Sequence, residues 1–120
     1  MNSRHLRRMG SAKSGMRHWW HQRLTAVAMI PLVLFFVGLL PQLADASHVE
    51  FRALVGHPVV AVLFALIVGV GLWHMKLGVQ VVIEDYIHHE AWKMALQILL
   101  TLGTGLLMVA GIMSIVLIAV

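Results

Sequence analysis

The chain has 120 residues, 60% of them hydrophobic and only 12% charged, with a formal net charge of +4. That balance is too apolar for a soluble domain and identifies a membrane protein. Cysteine is absent, which excludes disulfides, thiolate-held iron–sulfur clusters and cysteine zinc sites on this chain, so an electron-transfer centre bound here has to use histidine.

Residues 1–23 carry Arg4, Arg7, Arg8, Lys13, Arg17 and Arg23 and no acid, with Gly10, Ser11, Ser14 and Gly15 between them. Basic residues at the edge of apolar segments orient helices in a membrane, so no nucleic-acid partner is expected. The segment is held on the cytoplasmic side, mobile at its start and ordered near Trp19 and Trp20, whose rings suit the headgroup level. Residues 1–18 thus read as a basic cytoplasmic segment and residues 19–120 as a three-helix transmembrane anchor domain.

The uncharged run over residues 24–40 predicts a first helix at about 20–43, long enough for one crossing. Pro31 predicts a kink that neighbouring helices accommodate. Ala44-Asp45-Ala46 faintly resembles a cleavage site, but the apolar core is too long for a secretory signal and follows a long polar stretch, so the helix is read as retained. Residues 45–57, with Asp45, Ser47, His48, Glu50, Arg52 and His57, read as a short polar loop on the outer side. Pro58 suits a first helical turn. The second helix is predicted over about 58–86, returning to the inner side, with Lys76 snorkelling and His74 near the inner third of the bilayer. Residues 84–93 form a polar hinge, and a third helix at about 91–119 ends the chain outside. Its Gly103, Gly105, Gly111 and Ser114 suit close helix approach. All four tryptophans fall at the inner interface.

His74 is the first candidate for chemistry, because an ionisable side chain at membrane depth is costly and asks for a function. Gly71 and Gly78 lie one turn either side of it, within about 60° on the helix, the flat ground a porphyrin needs beside an axial ligand. The same spacing suits a histidine that bonds a carbonyl or serine on a neighbouring helix, with the glycines serving packing. Spacing alone leaves both open.

An unbroken helix brings Asp85 within about 20° of the His74 face, roughly 16 Å along the axis. Asp85 and Tyr86 then stand at the interface, where a quinone head group reaches from the lipid. A phenol offers a hydrogen bond to its carbonyl and a carboxylate a proton route. The plain alternative is a helix end with an interfacial tyrosine. Arg23, with His18, His21 and Gln22, opens the first helix on the same side. It pairs with haem propionates or with Asp85, or serves only as a positive-inside anchor. His88 and His89 point about 100° apart and do not share a metal from one turn; they read as solvated or proton-relay residues. His5, His48 and His57 carry no signal.

The pattern Gly15-x-x-His18-Trp19-Trp20-x-Gln22-Arg23-Leu24-Thr25-Ala26, followed by His74-x10-Asp85-Tyr86, resembles the small hydrophobic membrane-anchor subunit of succinate dehydrogenase, complex II, in its alphaproteobacterial and mitochondrial-type branch. Val81-Val82-Ile83-Glu84-Asp85-Tyr86 is the most specific piece, and the similarity covers nearly the whole chain. The resemblance implies an all-α membrane protein whose three transmembrane helices form a bundle completed by a partner, a second anchor of the cytochrome b556 type. Together they hold an iron–sulfur subunit and a flavoprotein subunit on the bacterial inner membrane. It further implies that His74 is one axial ligand to a haem b, the other coming from the cytochrome b556-type partner. Tyr86 bonds a ubiquinone carbonyl with Asp85 beside it, and Arg23 lies near the propionates. His18 and His21 align less cleanly with the histidine that approaches the haem in some relatives. Such an anchor is not catalytic alone. Two rivals remain: a structural anchor or assembly subunit without a cofactor, and a small transporter or channel subunit, against which a single intramembrane ionisable residue argues.

Overall fold

The computed structural model describes residues 3–120, with side chains from Gly15 onward, so the side chains of Arg4, His5, Arg7, Arg8 and Lys13 lie outside the described residues. Four helices follow one another: α1 (Ser3–Ala44), α2 (His48–Gly56), α3 (Pro58–Tyr86) and α4 (Glu90–Ala119). Three of them, α1 from Gly15, α3 and α4, are long and apolar enough to cross a membrane. α3 has 29 residues, about 44 Å at the helical rise, so its last turn reaches headgroup level in a bilayer.

Two elements differ from expectation. α1 begins at Ser3 and not near Trp19, because the basic stretch is built largely of good helix formers, Arg, Lys, Met and Leu. It also runs on through Pro31 and Pro41, as membrane helices do when the freed backbone groups find other partners. The second difference is α2, which occupies the stretch expected to be a loop. Ser47 and Glu50 close a capping box there: the Ser47 hydroxyl accepts from the Glu50 N–H at 3.2 Å, and the Glu50 carboxylate accepts from the Ser47 N–H at 2.7 Å. These satisfy two otherwise unpaired donors at the helix start.

The remaining breaks have local causes as well. His57, before Pro58, is pushed to extended backbone (φ −64°, ψ 127°), which ends α2. Its Nδ1 then accepts from the Val59 N–H at 3.3 Å and caps α3. His89 does the same for α4, accepting from the Trp92 N–H at 3.5 Å.

α3 is the middle helix, packed against α1 on one side and α4 on the other, with α2 resting on α3 and α4. Neighbours run antiparallel. Along α1 and α3, Gln22 faces Gly78, Met29 faces Gly71, and Phe36 meets Phe64 edge-on with ring centroids 6.2 Å apart. Along α3 and α4, Val68 faces Gly111. Among the described residues only Leu32, Val55, Leu77, Ile83 and Thr104 are buried. Most large apolar side chains, such as Leu34, Leu99 and Leu106, face outward. In water that surface is untenable, and it is what a lipid-facing helix presents.

Candidate functional site

The antiparallel register gathers one polar end of the molecule. Here α1 and α3 frame an open cleft of about 580 Å³, lined by Gly15, His18, Trp19, Gln22, Arg23, Ala26, His74 and Val81. His74 of α3 and Arg23 and His18 of α1, all candidates from the sequence, therefore share one cleft. Asp85 and Tyr86 do not line it. They are exposed on the last turn of α3, Tyr86 at 75%. Continued along the two helices, the register brings Asp85 level with Gly15, at the lip of the cleft.

His74 is half-buried and tied to α1. Its Nδ1 lies 2.9 Å from the Thr25 hydroxyl, which is also 2.7 Å from the His21 carbonyl oxygen and 3.1 Å from that of Gln22. Among the described residues Nε2 of His74 has no hydrogen-bond partner. Two further polar atoms in the cleft are buried and unpartnered, Nε2 of His18 and Oε1 of Gln22. Buried polar groups are nearly always paired, so a cleft holding two orphans is short of a hydrogen-bonding occupant.

Arg23 is exposed, with its guanidinium 5.1 Å from the centroid of the Trp19 ring, whose neighbour Trp20 packs edge-on at 5.3 Å. The indole face restrains the cation at the mouth of the cleft without neutralising it. Lys76 is likewise drawn over Trp73, at 4.6 Å, which anchors the ring and the ammonium together at the polar boundary.

The glycines flanking His74 face α1 and not the cleft. A Cβ on Gly71 would meet the Met29 terminal carbon at 3.6 Å, and one on Gly78 the Gln22 side-chain nitrogen at 3.7 Å, both ordinary contacts. Sequence reasoning missed the hydroxyl of Thr25, whose partner is 49 positions away. The available signal is a hydroxyl placed where the polar run His21-Gln22-Arg23 gives way to apolar residues. It also missed His57 and His89 as caps, though each stands just ahead of a helix where capping residues belong.

Among the described residues no group of three or more His, Cys, Asp or Glu side chains gathers to hold a metal ion. His74, Arg23 and His18, in the same cleft, are the residues that could hold a cofactor.

The family model described as succinate dehydrogenase/fumarate reductase transmembrane subunit matches residues 1–119. The chain is 34% identical to a succinate dehydrogenase hydrophobic membrane anchor subunit of Rickettsia bellii, over 88% of this chain and 85% of that one. It is 32% identical to the protein of the same name from Paracoccus denitrificans, over 73% and 68%. A succinate dehydrogenase membrane anchor subunit of Reclinomonas americana is 30% identical over 65% and 68%. No solved structure matches the chain.

Proposed function

The chain belongs to the family of succinate dehydrogenase/fumarate reductase transmembrane subunits, and we propose that it anchors a succinate:ubiquinone oxidoreductase, giving His74 to a haem b and Asp85 and Tyr86 to the ubiquinone site. It is a multi-pass membrane protein. In this reading its N-terminus lies in the cytoplasm of a bacterial cell. A second, cytochrome b556-type anchor would complete the hold on the haem, and iron–sulfur and flavoprotein subunits would dock on the inner face. The assembly couples succinate oxidation to the respiratory chain.

The observation that supports the reading is the cleft itself, where the His74 imidazole, whose Nε2 has no hydrogen-bond partner among the described residues, shares its walls with the Arg23 guanidinium and with His18, whose buried Nε2 is unpartnered. A ring nitrogen that shares a cleft with a guanidinium and a second imidazole is a donor set that would hold a haem from one side, through its iron and its propionates. When bound, the haem would supply a one-electron centre. This chain's residues do the rest: Arg23, braced by Trp19, binds propionate or quinone oxygen, and His18 donates from Nε2. Tyr86 gives its phenolic O–H to a quinone carbonyl, and exposed Asp85 passes protons from water as two electrons and two protons convert ubiquinone to ubiquinol.

The rival without a cofactor draws on the His74–Thr25 contact, which alone satisfies half of the imidazole. A reduced-minus-oxidised spectrum of the purified complex separates the two. With His74→Ala the b-type band is expected to vanish or shift strongly. An unchanged band, or none in the wild-type complex, favours the plain anchor.

A further inference from the structure

Thr25 holds His74 by a contact whose proton positions can be worked out. The hydroxyl has one hydrogen and three polar neighbours: the carbonyl oxygens of His21 at 2.7 Å and Gln22 at 3.1 Å, and Nδ1 of His74 at 2.9 Å. A carbonyl oxygen only accepts, and 2.7 Å is the usual length of an O–H···O bond. Two oxygens held that close without a proton between them would repel. The hydroxyl hydrogen therefore goes back along α1 to His21, the common four-residue back-bond of a helical threonine. Towards His74 the oxygen can then only accept, so Nδ1 carries the proton. In a neutral imidazole that leaves Nε2 as a bare lone pair.

We infer that Thr25 is the positioning residue for His74: its hydroxyl fixes the Nδ1–H tautomer and the ring orientation that aim Nε2 at iron. This rests on the haem reading above. The chain of bonds runs from the ring to the Thr25 hydroxyl to the His21 carbonyl, each polarising the next. Drawing on the Nδ1 proton makes the imidazole a better electron donor and stabilises the ferric state. α1 thereby contributes to the axial ligand as well as to the charged rim, and the site is incomplete without the α1–α3 contact.

The test compares Thr25→Val, which keeps the shape, and Thr25→Ala, which does not, with Thr25→Ser, which restores the hydroxyl. The readouts are haem content and midpoint potential in the purified complex. Val and Ala are each expected to raise the potential, lowering the ferric-to-ferrous ratio at fixed ambient potential by up to about tenfold, or about 59 mV for one electron. They should also weaken haem retention by about tenfold or more. Ser is expected to behave as wild type. Wild-type potential and retention in Val and Ala overturn the assignment, and so does a Ser variant shifted as far as Val. A b-type band that survives His74→Ala overturns the haem reading itself, a result independent of how the Thr25 series behaves.

Discussion

At the scale of single residues, the polar end of the molecule divides labour between what is held and what is left free. His74 is bound on one nitrogen, Arg23 is stacked but not paired, and Tyr86 projects from the end of α3. Tyr86→Phe removes only the phenolic O–H. It should lower ubiquinone reduction by about 10²-fold or more if the phenol takes part in proton delivery, while succinate oxidation by an artificial acceptor stays near normal. Equal loss of both activities would remove Tyr86 from the quinone site. His74 stood out in the sequence because an ionisable group is expensive near lipid, whereas Arg23 and His18, at the start of α1, were drawn in by their place on the same side of the membrane and by the family pattern. Thr25 did not stand out, because nothing local says which hydroxyl in an apolar helix meets a histidine on another. The flanking glycines left two readings open for the same reason: their spacing marks a smooth helix face without naming what covers it, and α1 covers it.

At the scale of elements, α2 is held at its start by a capping box outside the membrane spans. The Ser47 backbone N–H, and then its side chain, hold the Glu50 carboxyl below its usual range, with the small desolvation cost working the other way. A lowered folded value means that this support is fully present above the ordinary glutamate range and is lost as pH falls through the lowered value. Amide exchange at the start of α2 should therefore speed up at acid pH, and Ser47→Ala should speed it at neutral pH as well, by a cap loss of about 1 kcal/mol. Identical exchange in the variant would show that the cap is idle. The Ser47-x-x-Glu50 signature is present in the sequence, but it lies in a stretch whose polarity reads as a loop.

α4 gives a second test at this scale. A Cβ on Gly111 would meet a Val68 methyl carbon at 2.8 Å, whereas Gly103 and Gly105 have nothing within 4 Å. Val68 is β-branched and turns away only at a cost. Gly111→Ala should weaken the α3–α4 contact by about 1–3 kcal/mol, seen as a lower denaturation midpoint of the complex in detergent, and Gly105→Ala should not. Of the small residues that suggested close approach in α4, Gly111 alone is used against α3 in this way. Ser114 instead returns its hydroxyl to the Ala110 carbonyl at 2.7 Å.

At the scale of the whole molecule, three crossings were readable because a bilayer demands long apolar stretches and little else. The lateral order, with α3 in the middle, was not, since each helix is apolar nearly all round and no stripe marks its neighbour. Orientation is open to a direct test that the composition favours. The chain has no cysteine, so each introduced thiol is a unique reporter. In intact cells, an impermeant maleimide should label Asp45→Cys and Val120→Cys from outside, and His88→Cys only after the membrane is opened. The reverse pattern would invert the proposed topology.

The scarcity of buried side chains also bears on how such a chain can change over time. A position bathed in acyl chains asks for greasiness and not for a particular outline, so leucine, valine, isoleucine and methionine can trade places there without leaving a hole. Only the few spots where helix presses helix, such as Leu77 or Gly111, and the polar cleft, resist exchange. A protein built this way can drift to about one-third identity with a relative across most of its length and keep the long apolar runs that a bilayer requires.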